Sequence, residues 1–134
     1  MARLEYAALY VGANILILLV LAAVVVANRR KHKIRFGDGG NDRMSLAIRA
    51  HANAAEYIPA GLAGIILLAL LEPAAPAWLL HGAGISLTLG RIFHGWGLNQ
   101  KQMTRARQLG TALTWAAYLI MGLGLIYAGL AQQL

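Results

Sequence analysis

The chain lacks cysteine entirely and is poor in charged residues, aromatic residues and proline. Without cysteine it can form no disulfide, no cysteine-ligated metal site and no thiol nucleophile of its own, so any thiol chemistry must arrive with a substrate. Only 13% of its 134 residues are charged, and Lys and Arg outnumber Asp and Glu by twelve to five. The resulting net charge of +7 points to an anionic partner or an anionic surface.

Hydrophobic residues are too abundant for an ordinary soluble domain. They make up 59% of the chain, and the mean hydropathy is +0.58, which is the composition of a membrane protein. A basic chain can bind nucleic acid, but in so apolar a chain the positive charge favours a membrane surface. We therefore predict membrane lipids as partners and no nucleic acid.

Four apolar segments divide the chain, at about residues 5–27, 44–71, 77–98 and 105–130. A helical run of about 20 residues crosses a hydrocarbon core of about 30 Å. The first segment fits a secretory signal peptide less well, because it is long and its basic residues follow it. Strands are disfavoured because no alternating pattern occurs. The sequence predicts an all-α fold: one domain, an integral membrane four-helix bundle.

Basic residues cluster in two of the three connections between these segments. Between the first and second segments lie Arg29, Arg30, Lys31, Lys33, Arg35 and Arg43, and around the start of the fourth lie Lys101, Arg105 and Arg107. The connection at residues 72–77 has no Lys or Arg. The positive-inside rule predicts that both basic connections are cytosolic and that both termini are not. The alternative is that these charges only fix orientation and contact anionic lipid.

Polar residues interrupt three of the segments near the same predicted end of the bundle. In the second segment Arg49, Asn53 and Glu56 are spaced i, i+4 and i+7, so they share a helix face. The other two stripes are Arg91 with His94 in the third segment, and Arg107, Thr111, Thr114 and Tyr118 in the fourth. With this orientation the second and fourth helices also point their positive ends at this layer, which favours an anionic ligand.

A structural role is the alternative for each of these residues. Glu56 can pair with Arg91 and fix the bundle, and an Arg near the interface can reach out to water. One glutamate cannot, however, neutralise Arg49, Arg91 and Arg107 together. No HExxH pattern or i+4 partner makes His51 a metal ligand, so we predict no metal site. Asn14, in the first segment, is expected to hydrogen-bond to a neighbouring helix.

Three of these motifs resemble a known family. RAHANAAEY at residues 49–57, GRIFHGWG at residues 90–97 and RARQLG at residues 105–110 are similar to motifs of the membrane-associated proteins in eicosanoid and glutathione metabolism, the MAPEG family. The run GDGGNDRMSLAIRAHANAAEYIP at residues 37–59 resembles a bacterial branch of that family. The resemblance implies a homotrimer with glutathione bound between protomers, and it places the chain in a bacterial inner membrane.

The same resemblance implies which residues form the glutathione site. The glutathione-binding candidates are Arg29, Arg49, Asn53, Glu56, Tyr57, Arg91, His94 and Arg105. Arg107 matches the arginine placed near the thiol and is the catalytic candidate, with Arg105 as the alternative. The implied activity is that of a glutathione transferase or peroxidase acting on a lipophilic small molecule.

The chemistry of the ligand agrees with these residue types. Glutathione carries two carboxylates, an amine and a thiol, and a guanidinium can bind a carboxylate through two parallel hydrogen bonds. A free thiol has a pKa of about 8.5, and a nearby cation or helix N-terminus lowers it. The thiolate would then attack an electrophile or hydroperoxide dissolved in the bilayer.

Two other classes of function are compatible with the sequence. Small four-span multidrug exporters have a similar length, but their essential acid lies in the first span, whereas Glu56 lies in the second among arginines. A non-catalytic binding or scaffold protein would use the same residues as an enzyme. Glutathione affinity without turnover would favour that interpretation.

Overall fold

The computed structural model describes residues 2–71, 73–98 and 104–132, and helices account for nearly all of them. Four helices follow one another along the chain: α1 (Ala2–His32), α2 (Asp42–Leu70), α3 (Ala77–Leu98) and α4 (Arg105–Ala131). No strand occurs within the described ranges. The predicted all-α, four-helix protomer is confirmed. Glu72 and Lys101, which entered the predicted orientation, lie outside the described residues.

Local sequence signals set two of the helix starts. The Asn41 side chain caps α2 by accepting a hydrogen bond of 3.0 Å from the Met44 N–H. Thr104 caps α4 by accepting a hydrogen bond of 3.3 Å from the Arg107 N–H. Short side chains of this kind satisfy amide groups that have no partner within the first helical turn. The cap at Thr104 therefore fixes where α4 and its arginines begin.

Three of the helices are long and apolar enough to cross a membrane by length and composition: α1, α2 and α4. Helix α3 is long enough but has a lower mean hydropathy, because its 22 residues include Arg91, two histidines and several glycines. Arg91 and His94 are buried inside the bundle. That α3 also crosses the membrane stays a prediction.

The helices alternate in direction, so the end of α1, the start of α2, the end of α3 and the start of α4 meet at one end of the bundle. Helix α3 packs most extensively on α4, and α1 contacts α2 and α3 but does not touch α4. The apolar core lies toward the other end, around Ile65, Leu68, Leu87 and Met121. The polar stripes are thus grouped at the end opposite the core.

Asn14 joins α1 to α3, as the sequence predicts for an amide in a membrane helix. It is fully buried, and its Nδ2 donates to the Thr88 hydroxyl and to the Tyr10 carbonyl, each at 2.9 Å. One turn further toward the core end, the Tyr10 hydroxyl and His81 Nδ1 lie 2.9 Å apart. The Tyr10–His81 contact carried no signal in the sequence, because the two residues are 71 positions apart and belong to no motif.

Candidate functional site

Arg91 is the centre of the polar layer, and its side chain is only 2% exposed. Its Nη1 donates to the Asn53 side-chain oxygen at 2.8 Å, and its Nη2 donates to the Thr114 hydroxyl at 2.6 Å. Its guanidinium carbon lies 5.1 Å from the centre of the Tyr57 ring, within the range of a cation–π interaction. One side chain of α3 therefore connects α2 and α4.

Tyr57 is fixed by a second set of contacts between α2 and α4. The Tyr118 hydroxyl donates to the Tyr57 carbonyl at 2.5 Å, and the two rings meet edge to face at 5.6 Å. The Trp115 indole N–H reaches the Tyr57 hydroxyl at 3.5 Å, which is long for a hydrogen bond. The position of the Tyr57 ring thus follows from the packing of α4.

The end of α3 and the start of α4 lie backbone against backbone because glycines occupy the contact. A Cβ atom added at Gly97 would lie 2.6 Å from the Arg107 nitrogen, and one added at Gly110 would lie 2.4 Å from the His94 nitrogen. Real Cβ atoms do not approach so closely. Gly97 therefore holds the first turn of α4, which carries Arg107, directly against α3, and Gly110 does the same beside the buried His94.

The charged residues of α2 point away from this layer in the protomer. Arg49 and Glu56 are both exposed, whereas Asn53 is half-buried and turned toward Arg91. Glu56 forms no hydrogen bond or ion pair with the described residues. The pairing of Glu56 with Arg91, the alternative that the sequence left open, is not formed in this protomer. Arg91 is held instead by an amide, a hydroxyl and an aromatic ring.

The remaining candidates lie near the same end of the bundle. Arg105 is exposed in the first turn of α4, and Arg107 is half-buried there. Arg29 lies in the last turn of α1, where its Nη1 donates to the carbonyls of Arg35 at 3.3 Å and Gly37 at 3.1 Å. The structure thus brings Asn53, Tyr57 and Arg91 into direct contact. It leaves Arg29, Arg49, Glu56 and Arg105 outside that network.

Two residues of the network were not site candidates in the sequence. Thr114 accepts the hydrogen bond from Arg91 and donates to the Gly110 carbonyl at 2.8 Å, and Tyr118 positions Tyr57. Both belong to the polar stripe of the fourth segment, so the periodicity placed them on the correct face. What it did not reveal is that this stripe faces Arg91.

Comparison with known proteins agrees with this architecture. The model of the MAPEG family matches residues 7–127. Two proteins called inner membrane protein YecN, from Escherichia coli strains K12 and O6:H1, are each 37% identical over 114 residues, which is 85% of this chain and 85% of theirs. The match spans all four helices, including the polar layer that joins α2, α3 and α4. This chain belongs to the MAPEG family.

Proposed function

We propose that this membrane protein binds glutathione and uses its thiol against a lipophilic electrophile or hydroperoxide. The observation that carries the proposal is the charged, exposed face of α2. Arg49 and Glu56 are exposed on a helix that is long and apolar enough to cross a membrane, and a charge that faces lipid within the membrane is costly. A zwitterionic peptide bound on this face would compensate both charges.

The cations around the polar layer suit a ligand with two carboxylates. Among the described residues Arg49 and Arg105 have no acidic partner, so their guanidinium groups are available for a carboxylate. Glu56 offers an acceptor for the ligand's ammonium group. Asn53 and Tyr57 are already held in place by Arg91 and Tyr118, so they would present a preformed surface to the peptide.

We assign the activation of the sulfur to Arg107. It lies in the first turn of α4, where the helix dipole adds to its charge and both stabilise a thiolate. In conjugation the thiolate sulfur attacks an electrophilic carbon and the leaving group departs, or an epoxide oxygen takes up a proton. In peroxide reduction the thiolate attacks the terminal peroxide oxygen, which releases an alcohol, and a second glutathione converts the sulfenic acid to a disulfide and water.

The proposed function also requires assembly. A protomer with Arg49 and Glu56 exposed is expected to cover them with a neighbouring copy, and the family resemblance implies three copies. We predict that the purified protein has a detergent-corrected mass of three chains by light scattering. A monomer at micromolar concentration would contradict both the trimer and a site shared between protomers.

We propose that the protein lies in a bacterial inner membrane, in agreement with the name of the two relatives, with both basic connections in the cytosol, where glutathione is available. Alkaline phosphatase fused after the last residue should then be active, because it works outside the cytosol. Green fluorescent protein fused at the same place should not fluoresce. A fluorescent C-terminal fusion would reverse the orientation and move the polar layer away from the glutathione pool.

The direct test is glutathione binding by the purified protein. We expect a dissociation constant at or below millimolar and an ultraviolet absorbance band of the bound thiolate. Free glutathione should show little of this band, because a thiol with an unperturbed pKa of about 8.5 is mostly protonated at neutral pH. S-methyl glutathione, which has no ionisable thiol, is the control and should bind without the band. Binding without the band would favour the non-catalytic interpretation. No binding at millimolar glutathione would make the charged face purely structural.

A further inference from the structure

A compact basic loop follows α1 and forms a concave surface of its own. The surface is a shallow, open depression of about 500 Å³, lined by Arg29, Arg30, Lys33, Ile34, Arg35 and Phe36. Four of these six residues are cations and none is acidic. The loop starts where a helix long enough to cross the membrane ends, so it lies at the level of the lipid headgroups.

Hydrogen bonds within the loop fix its shape. The Ile34 N–H donates to the Arg29 carbonyl at 3.1 Å and the Lys33 N–H donates to the Arg30 carbonyl at 3.4 Å, which is the pattern of a Schellman cap. The Arg29 side chain closes the loop by donating to the carbonyls of Arg35 and Gly37. The Arg29 side chain therefore stabilises the loop that carries this surface.

Three cations on this surface have no partner within the described residues. The side chains of Arg30, Lys33 and Arg35 form no hydrogen bond or ion pair there. Because the Arg29 side chain holds the loop in a turn, all three side chains line the same depression. A single anion placed there would meet three positive charges without any rearrangement of the backbone.

Lys33 occupies a backbone conformation that favours glycine. Its φ is +55°, and it is the only non-glycine residue with positive φ in the part of the chain that the structure describes. The other three such positions, Gly37, Gly39 and Gly40, lie in the same loop and are all glycine. A lysine at an unfavourable backbone position is therefore a candidate for a functional side chain.

Phe36 identifies the kind of anion. It borders the same surface and, at 89%, is the most exposed large apolar side chain in the described part of the chain. At the membrane interface an aromatic ring of this kind can insert among the upper parts of acyl chains. A soluble phosphate would gain nothing from it, whereas a lipid would contact both the cations and the ring.

We propose that this loop is a binding site for the phosphate headgroup of an anionic phospholipid. Arg30, Lys33 and Arg35 bind the phosphate, and Phe36 lies against the lipid's glycerol and acyl region. The residues assigned to the phosphate, Arg30, Lys33 and Arg35, are not glutathione-site candidates, and Arg29 only shapes the loop, so the proposal does not depend on glutathione binding. The site's occupant anchors the first connection to the membrane surface.

Native mass spectrometry of the full chain in detergent tests the proposal. The protein is mixed with equal amounts of phosphatidylglycerol and phosphatidylcholine that have identical acyl chains, and the ratio of bound lipids is measured. Lys33→Gln should lower this preference about fivefold, the change expected for one basic residue at an anionic surface. Lys31→Gln is the matched control, since Lys31 is exposed in the same run but does not line the surface.

A second variant separates lipid binding from stability. Lys33→Gly relieves the unfavourable backbone conformation, so it should raise the melting temperature while it lowers the phosphatidylglycerol preference as much as Lys33→Gln does. Equal effects of Lys31→Gln and Lys33→Gln would overturn the site in favour of diffuse surface charge. Displacement of the lipid by millimolar glycerol 3-phosphate would overturn the lipid assignment in favour of a soluble phosphate.

Discussion

Replacing Gly110 with alanine should destabilise the protein by about 1–3 kcal/mol, the usual cost of forcing extra volume into a packed interface. The added Cβ would lie 2.4 Å from the His94 nitrogen and 2.8 Å from both the Gly90 carbonyl oxygen and the His94 Cα. All three are backbone atoms, so no side-chain rotation can relieve the contact and α3 must move away from α4. Thermal unfolding in a single detergent, followed by circular dichroism, measures the loss.

The effect should extend to the polar layer. The Gly110 carbonyl accepts the hydrogen bond from Thr114, and Thr114 accepts the hydrogen bond from Arg91. A shift of α4 at Gly110 therefore disturbs the contact that joins Arg91 to α4. We expect Gly110→Ala to weaken glutathione binding as well as to lower the melting temperature.

Gly122→Ala is the matched control on the same helix. A Cβ at Gly122 meets nothing within 4 Å, and alanine is favoured over glycine in a helix by up to about 1 kcal/mol. This variant should leave the melting temperature unchanged or raise it. If both variants lowered it equally, the general helix-forming tendency of α4 and not the contact with α3 would explain the loss.

The sequence predicted the four helices and the end of the bundle where polar residues gather, because both follow from hydropathy and helical periodicity alone. It also predicted that Asn14 bonds to another helix, since a buried amide in an apolar helix needs a partner. These properties depend on one segment at a time. Each is visible without knowing how the helices rotate against one another.

The partner of Arg91 could not be predicted in the same way. Glu56 carries the opposite charge, but it lies about 60° around α2 from Asn53 at 100° per residue. The rotation of α2 against α3 decides which of the two faces Arg91, and that rotation is set by packing such as Leu87 against Gly61. Periodicity assigned Thr114 to the correct stripe of α4, but it could not show that Arg91 is its partner. Periodicity gives a face of a helix and not the neighbour that it meets.

The largest functional effect is expected from Arg107. In Arg107→Leu the guanidinium is lost while the Thr104 cap, which uses the Arg107 backbone N–H, remains. The thiol pKa of bound glutathione should rise by about one unit, which corresponds to roughly 1.4 kcal/mol and a tenfold loss of thiolate. Turnover should fall more than affinity. Absorbance of the bound thiolate and the dissociation constant of glutathione measure the two effects separately.

Two further variants make the result specific to Arg107. Arg105→Leu removes an exposed cation from the same helical turn and should change the affinity for glutathione but not the thiolate band. If Arg105→Leu abolishes the band while Arg107→Leu keeps it, Arg105 is the activating residue.

Glu56→Gln should mainly weaken glutathione binding, by about 1.5–3 kcal/mol for the loss of one charge-assisted hydrogen bond. Because Glu56 has no partner in the described protomer, the same variant should unfold at the wild-type temperature when glutathione is absent. A lower melting temperature for Glu56→Gln would instead show that the carboxylate already holds a neighbouring copy, and its effect on binding would then be indirect.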